Sequence, residues 1–97
     1  MDYSYLTKLQ NWYNSYCDGT WEHYYGIKIN TLDNPGWSLE IDLSETELEN
    51  KCFVPVEVNS SDSWMICKVK DRKFYAFGDS SSIEKMIQVF LDWAKTE

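Results

Sequence analysis

The sequence has few of the features that stabilise small secreted or metal-bound domains. Its three cysteines, Cys17, Cys52 and Cys67, are an odd number without a Cys-x-x-Cys pair, so we predict neither a disulfide framework nor a zinc site. No apolar run approaches the roughly 20 residues that span a bilayer. No basic-then-apolar signal segment is visible at the N-terminus. We therefore expect a cytoplasmic protein with no membrane partner.

Positive charge is also scarce. Nine bases face sixteen acids, giving a net charge of −7, and residues 1–50 hold nine of the acids but only two of the bases. A surface of that sign repels nucleic acid and attracts basic partners, so we expect no nucleic-acid partner. Lys68, Lys70, Arg72 and Lys73 form the one basic cluster, which we interpret as a solvated hairpin end.

Apolar and aromatic residues, in contrast, are plentiful. The chain is 43% hydrophobic and 16% aromatic, with only four glycines and two prolines in 97 residues. This composition excludes a disordered chain and supplies enough apolar surface for one core. We predict a single domain over residues 1–97, without a cofactor.

The spacing of apolar residues predicts the order helix, five strands, helix. Stripes at helical spacing predict an N-terminal helix over residues 3–17, stopped by Gly19, and a C-terminal helix opened by a capping box at Ser81 and Glu84. Alternation predicts strands over residues 21–31, 37–43, 52–58, 64–70 and 73–77, with a loop or one helical turn over 44–51. This order indicates an α+β fold: a meander-like antiparallel sheet of about five strands with both helices packed on it.

Catalytic motifs find little support. The single histidine, His23, is predicted to open a strand while Cys17 closes a helix, so nothing holds them as a nucleophile–base pair. No phosphate loop, nucleophile elbow or metal-ligand spacing occurs. A cluster of Asp18, Glu22, His23 and Asp33 remains the basis of an alternative, a small enzyme or metal-binding protein. Our leading expectation is a protein that is not an enzyme.

Aromatic and acidic residues are instead mixed as they are in binding surfaces. Residues 21–25 form an aromatic run with charges inside it, and Trp37 follows the turn at residues 33–36. Aromatic anchor residues surrounded by charged residues are typical of protein interfaces. We expect at least two of Trp21, Tyr25 and Trp37 to fill the core instead.

Four segments resemble the immunity protein 53 family of bacterial polymorphic toxin systems. They are residues 9–13, 17–27, 31–37 and 41–43, and the blocks C-D-G-T-W-E-H at 17–23 and T-L-D-N-P-G-W at 31–37 are specific together. The resemblance implies a cytoplasmic protein, encoded beside a toxin, that binds the toxin domain and protects the producing cell. It does not indicate which toxin is bound.

The matched residues and the acidic run after them are the candidate partner-binding positions. They are Asp18, Trp21, Glu22, His23, Asp33, Trp37, Asp42, Glu45, Glu47 and Glu49. Our hypothesis is that the acids from residue 33 to residue 49 form one surface that enters the basic cleft of a toxin, such as one of nuclease type, and mimics phosphate. A housekeeping adaptor without a toxin is a further alternative, and the oligomeric state is left open.

Overall fold

The computed structural model describes residues 4–95. The elements are α1 (Tyr5–Tyr16), α2 (Trp21–Tyr24), β1 (Ile27–Leu32), β2 (Gly36–Asp42), β3 (Val56–Asn59), β4 (Trp64–Lys70), β5 (Lys73–Gly78) and α3 (Ile83–Ala94). The predicted α+β class, with five antiparallel strands between terminal helices, is confirmed. Residue 3, the predicted first residue of the N-terminal helix, lies outside the described residues.

The five strands form one antiparallel sheet in the order β1-β2-β5-β4-β3. β1 and β2 make one hairpin, and β3, β4 and β5 make a meander that joins it by pairing β5 with β2. The β4–β5 turn falls at the predicted Asp71-Arg72, where both residues have positive φ, 54° and 62°, as a tight primed hairpin turn requires. Residues 43–55 then carry the chain from β2, inside the sheet, to β3 at its far edge.

The core lies between one face of the sheet and the two long helices. Alternation along β2, β4 and β5 points every second side chain at α3, which packs across these three strands and against α1. The largest fully buried side chains on these four elements are Leu39, Ile41, Cys67, Phe74, Met86 and Phe90. Each fully buried aliphatic or aromatic side chain contributes roughly 1.5–3 kcal/mol, so this layer supplies most of the stability.

Two predicted strands differ from the structure at their N-terminal ends. The strand expected from residue 21 begins only at Ile27, because the preceding residues form the short helix α2, and His23 therefore lies in a helix. The strand expected from residue 52 begins only at Val56. The segment before it packs instead of pairing, since the ring of Phe53 meets those of Phe74 and Trp93 at 5.5 and 5.2 Å.

The predicted capping box at Ser81 and Glu84 is wrong. α3 has Ser82 at its N-cap, and that side chain makes no capping hydrogen bond. Asp79 organises the turn: its carboxylate accepts hydrogen bonds from the backbone N–H groups of Ser81 and Trp64, both at 2.8 Å. These bonds to the ionised form lower the pKa of Asp79. The helix start is thus held by a residue three positions earlier, which also ties it to β4.

Candidate partner-binding site

The first family block folds as a reciprocal cap around α2. The Asp18 carboxylate accepts hydrogen bonds from the N–H groups of Thr20 and Trp21, both at 2.9 Å. The Glu22 carboxylate reaches back to the N–H groups of Asp18 and Gly19, at 3.0 and 2.9 Å. Backbone hydrogen bonds to the ionised forms lower the pKa of both Asp18 and Glu22. These two acids therefore hold the backbone that precedes and begins α2.

Trp21 lies beneath this cap and contacts several other aromatic rings. It is 4% exposed, and its ring lies about 6 Å from four others, those of Trp12, Tyr13, Tyr16 and Tyr25. Its indole Nε1 donates a hydrogen bond of 2.9 Å to the carbonyl oxygen of Ser44. Trp21 thereby joins α2 and the aromatic face of α1 to the loop that follows β2.

That loop, residues 43–51, is called the acidic loop here. Leu43 and Leu48 are fully buried beneath it, and the buried hydroxyl of Thr46 donates to the Leu43 carbonyl and accepts from the Leu48 N–H. Buried and exposed residues alternate along the loop, so Glu45 and Glu47 are left at the surface. The loop is held by its own packing, and its acids need little ordering when a partner binds.

Three acids gather at the start of this loop and form what we call the acidic cluster: Asp42, Glu45 and Glu49. The Ser44 N–H donates to Asp42 at 3.0 Å and the Glu45 N–H donates to Glu49 at 2.8 Å. The Tyr25 hydroxyl lies beside Glu45, and the interaction with this carboxylate, with partial burial and the negative charges of the cluster, raises the pKa of Tyr25. None of the ion pairs found within residues 4–95 includes an acid of the cluster. Its negative charge is therefore available to a partner.

The remaining predicted positions do not join this cluster. Glu47 faces the helices, where its N–H lies 3.4 Å from the Tyr16 hydroxyl and it lines a groove with Lys8 and Lys95. Asp33 lies in the β1–β2 turn, separated from Asp42 by the length of β2, about 20 Å at ordinary strand rise. The acids from residue 33 to residue 49 thus do not form one continuous surface, contrary to our hypothesis.

The second family block, residues 31–37, also supports the fold. A Cβ atom at Gly36 would overlap the carbonyl oxygen of Gly78 on β5, so no larger residue is accommodated there without a shift. The half-buried Trp37 packs against the core, and its Nε1 donates to the Ser80 carbonyl at 3.0 Å. Together, these contacts fix the hairpin to the turn before α3. Trp21 and Trp37 both serve the core, as expected for at least two of the three aromatics.

The alternative catalytic or metal-binding cluster is not assembled. Asp18 and Glu22 are committed to backbone amides, and Asp33 lies at the far end of β1 from α2. Across residues 4–95, no three histidine, cysteine, aspartate or glutamate side chains are grouped as a metal site requires. The four residues named for that alternative therefore do not meet at a common point.

Two tyrosines beside the acidic cluster belong to the aromatic run 21–25 but were not among the predicted partner-binding positions. Tyr24 is 76% exposed, although it is a large aromatic residue, and its ring lies 6.4 Å from that of Tyr25. A cleft of about 250 Å³ is lined by both, together with His23, Asp42 and Lys73. An exposed tyrosine beside acids is the usual composition of an interface anchor. Alternation assigned Tyr24 to the outer face of a strand and so concealed its position on α2.

Fold and site together define a small α+β domain in which motif residues brace the backbone. The acids of a packed loop lie beside two tyrosines at the end of the short helix α2. The family described as Immunity protein 53 matches residues 6–95, and the chain belongs to that family. Membership assigns it to proteins that neutralise a toxin. Searches of curated proteins and of solved structures return no match. Within residues 4–95, no helix is long and apolar enough to traverse a membrane.

Proposed function

We propose that this protein neutralises a cognate bacterial toxin in the cytoplasm by binding it through the acidic cluster and covering its active surface. It acts stoichiometrically and not as an enzyme. The observation that carries the proposal is the arrangement of Asp42, Glu45 and Glu49 around Tyr25 on a loop anchored by Trp21. These acids, with the exposed Tyr24, form the centre of the proposed interface.

The charge of the cluster favours a toxin with a basic active site, as nucleases have. Acidic side chains held at fixed spacing can occupy positions otherwise taken by phosphates, and they speed association by steering. Because a supported loop loses little conformational entropy on binding, more of the contact energy appears as affinity. Glu22 lies on the adjoining α2 and Asp18 just before it, and both add to the local negative potential although their hydrogen bonds serve the backbone.

The direct test is co-expression with the toxin encoded beside this gene, scored by cell survival and by co-purification. A triple variant, Asp42→Asn with Glu45→Gln and Glu49→Gln, removes the charge of the cluster but keeps the oxygen atoms that accept the Ser44 and Glu45 N–H groups. We expect its association rate with the purified toxin domain to fall roughly ten-fold or more at low salt. The deficit should shrink as ionic strength rises.

The matched control is Glu57→Gln with Asp62→Asn and Glu84→Gln, which changes the net charge equally. Glu57 lies on β3 at the far edge, Asp62 in the turn before β4, and Glu84 in the first turn of α3. The control should bind close to the wild-type rate. Equal losses in both triple variants would show that only net charge matters, and an unchanged cluster variant would refute this interface.

A further inference from the structure

The outer edge of β1 is an unpaired strand edge. β1 is the last strand of the sheet order, and no strand within residues 4–95 pairs with its outer side. The Asp42 N–H donates to the Gly26 carbonyl, which fixes the alternation of hydrogen-bonded pairs along β1 and β2. Lys28 and Asn30 therefore direct their backbone groups at β2. Ile27, Ile29 and Thr31 direct theirs outward, to the open side.

This edge lacks the devices that usually prevent strand addition. β1 contains no proline, its register with β2 runs without a bulge, and its one charged residue, Lys28, lies 3.9 Å from Glu40 of the neighbouring strand. The opposite edge is better protected, because β3 has only four residues, follows Pro55 and carries Glu57. Of the two edges, β1 is the one open to an added strand.

An apolar groove runs along the same edge. It has a volume of about 410 Å³ and lies between α1 and β1, with Leu6, Tyr13, Tyr25 and Ile29 among its walls. Two exposed large hydrophobic side chains, Leu6 at 61% and Ile29 at 40%, lie in it. A strand paired to β1 would send every second side chain into this groove, since alternate residues of a strand point to the same face.

The groove is continuous with the acidic cluster through one residue. Tyr25 lines the groove, and its hydroxyl lies beside the carboxylate of Glu45. A segment lying along β1 would therefore reach, at the end where β1 begins, three carboxylates that take part in none of the ion pairs found within residues 4–95. Charge complementarity requires a basic side chain at that end of the segment.

We infer that an extended segment of the partner toxin adds to β1 as a sixth strand. Its apolar side chains, spaced two residues apart, fill the groove beside Leu6 and Ile29, and a lysine or arginine at one end meets the acidic cluster. Backbone hydrogen bonds to Ile29 and Thr31 supply the register, and the groove supplies the side-chain selection. This inference rests on the proposed function, because it takes the toxin as the partner.

The test uses the full chain, the purified toxin domain and calorimetry. Thr31→Pro removes an outward N–H without breaking a β1–β2 bond, so the domain should fold while strand addition is blocked. The matched control is Glu57→Pro on β3. The hydrogen bond from the Ser60 N–H to the Ser63 carbonyl fixes the alternation of hydrogen-bonded pairs along β3 and β4, so the Glu57 N–H also points away from the neighbouring strand. We expect Thr31→Pro to weaken toxin binding at least ten-fold, and Glu57→Pro to leave it within two-fold.

A second variant and a second measurement separate the groove from the backbone. Leu6→Gln keeps a good helix former at an exposed position of α1 and should weaken binding roughly five-fold or more by removing apolar contact. Amide hydrogen exchange resolved by residue gives the direct readout. The Ile29 and Thr31 amides should exchange fast in the free chain and become protected in the complex.

The outcomes distinguish this inference from the proposed function. A complex that forms and protects the cell, but leaves Ile29 and Thr31 unprotected or tolerates Thr31→Pro, would overturn strand addition and leave toxin neutralisation standing. If these amides are protected in the free chain, and the protection increases with protein concentration, the edge pairs with a second copy of this chain. That outcome would also overturn strand addition by the toxin. A wild-type chain that binds no toxin would overturn both.

Discussion

Trp21→Phe tests whether the residues shared with the family hold the fold or contact the toxin. Trp21 is 4% exposed and donates to the Ser44 carbonyl at 2.9 Å. Phenylalanine keeps the aromatic contact with α1 but removes the indole nitrogen and two ring carbons. Losing two buried carbons costs about 1.5 kcal/mol, and losing the hydrogen bond costs about 1 kcal/mol.

The expected loss for Trp21→Phe is therefore about 2–3 kcal/mol of unfolding free energy, which for a domain of this size lowers Tm by roughly 10–20 °C. Since such domains have about 5–15 kcal/mol in total, the variant should still fold at low temperature. Urea unfolding followed by far-UV circular dichroism measures the loss without relying on the deleted chromophore. Toxin binding of the folded variant should stay within roughly ten-fold of wild type.

The contrast for Trp21 is Tyr24→Ala, three positions along the same short helix. Tyr24 is 76% exposed, so its removal should change stability by less than about 0.5 kcal/mol but weaken toxin binding measurably. The reasoning is refuted if Trp21→Phe is as stable as the wild type. If Trp21→Phe keeps its stability and also loses toxin binding, Trp21 is a contact residue.

Three further predictions concern the fold and its ionisable groups. Because folding lowers the pKa of Asp18 and Glu22, their contribution to stability is present above the ordinary carboxyl pKa and lost as pH falls through the lowered values. Asp18→Asn with Glu22→Gln should therefore show a shallower decline of Tm in acid than the wild type, and parallel declines would contradict this. Gly36→Ala should lower the free energy of unfolding by about 2 kcal/mol or more, since the added Cβ atom would overlap a backbone carbonyl oxygen. A urea midpoint equal to that of the wild type would contradict this. Burial raises the pKa of Cys67 to about 11, so iodoacetamide at neutral pH should label the exposed Cys52 and leave Cys67 unmodified until urea is added, as mass spectrometry can determine.

Elements whose signals are local were predictable from the sequence. Alternation over residues 37–43, and the two segments 64–70 and 73–77 on either side of Asp71-Arg72, predicted strands close to the observed β2, β4 and β5. The apolar stripe over residues 83–94 predicted α3. These patterns are reliable because one face of each element is buried, and burial of one face imposes a period of two or of 3.6 residues. The two family blocks also identified the family from residues 9–43 alone, and the match extends over residues 6–95.

The start of β1 was mispredicted because a side chain overrode alternation. Residues 21–24 alternate well enough to suggest a strand, but Glu22 reaches back to two backbone N–H groups and Trp21 finds the Ser44 carbonyl 23 residues away. Both interactions favour a helical turn. The second is visible only when the chain is folded, because nothing in the local pattern marks Ser44 as its partner.

The sequence by itself thus determined the class of fold, the hairpins, the family and the excess of acid in the first half of the chain. Only the tertiary structure decided how that acid is distributed. The pairing of β2 with β5 and the packing of Leu43 and Leu48 beneath the acidic loop draw Asp42, Glu45 and Glu49 together. Asp33, in contrast, lies at the other end of β2, about 20 Å from Asp42. The groove beside β1 likewise exists only because α1 packs against α3 and so lies alongside β1, an arrangement that no local pattern encodes.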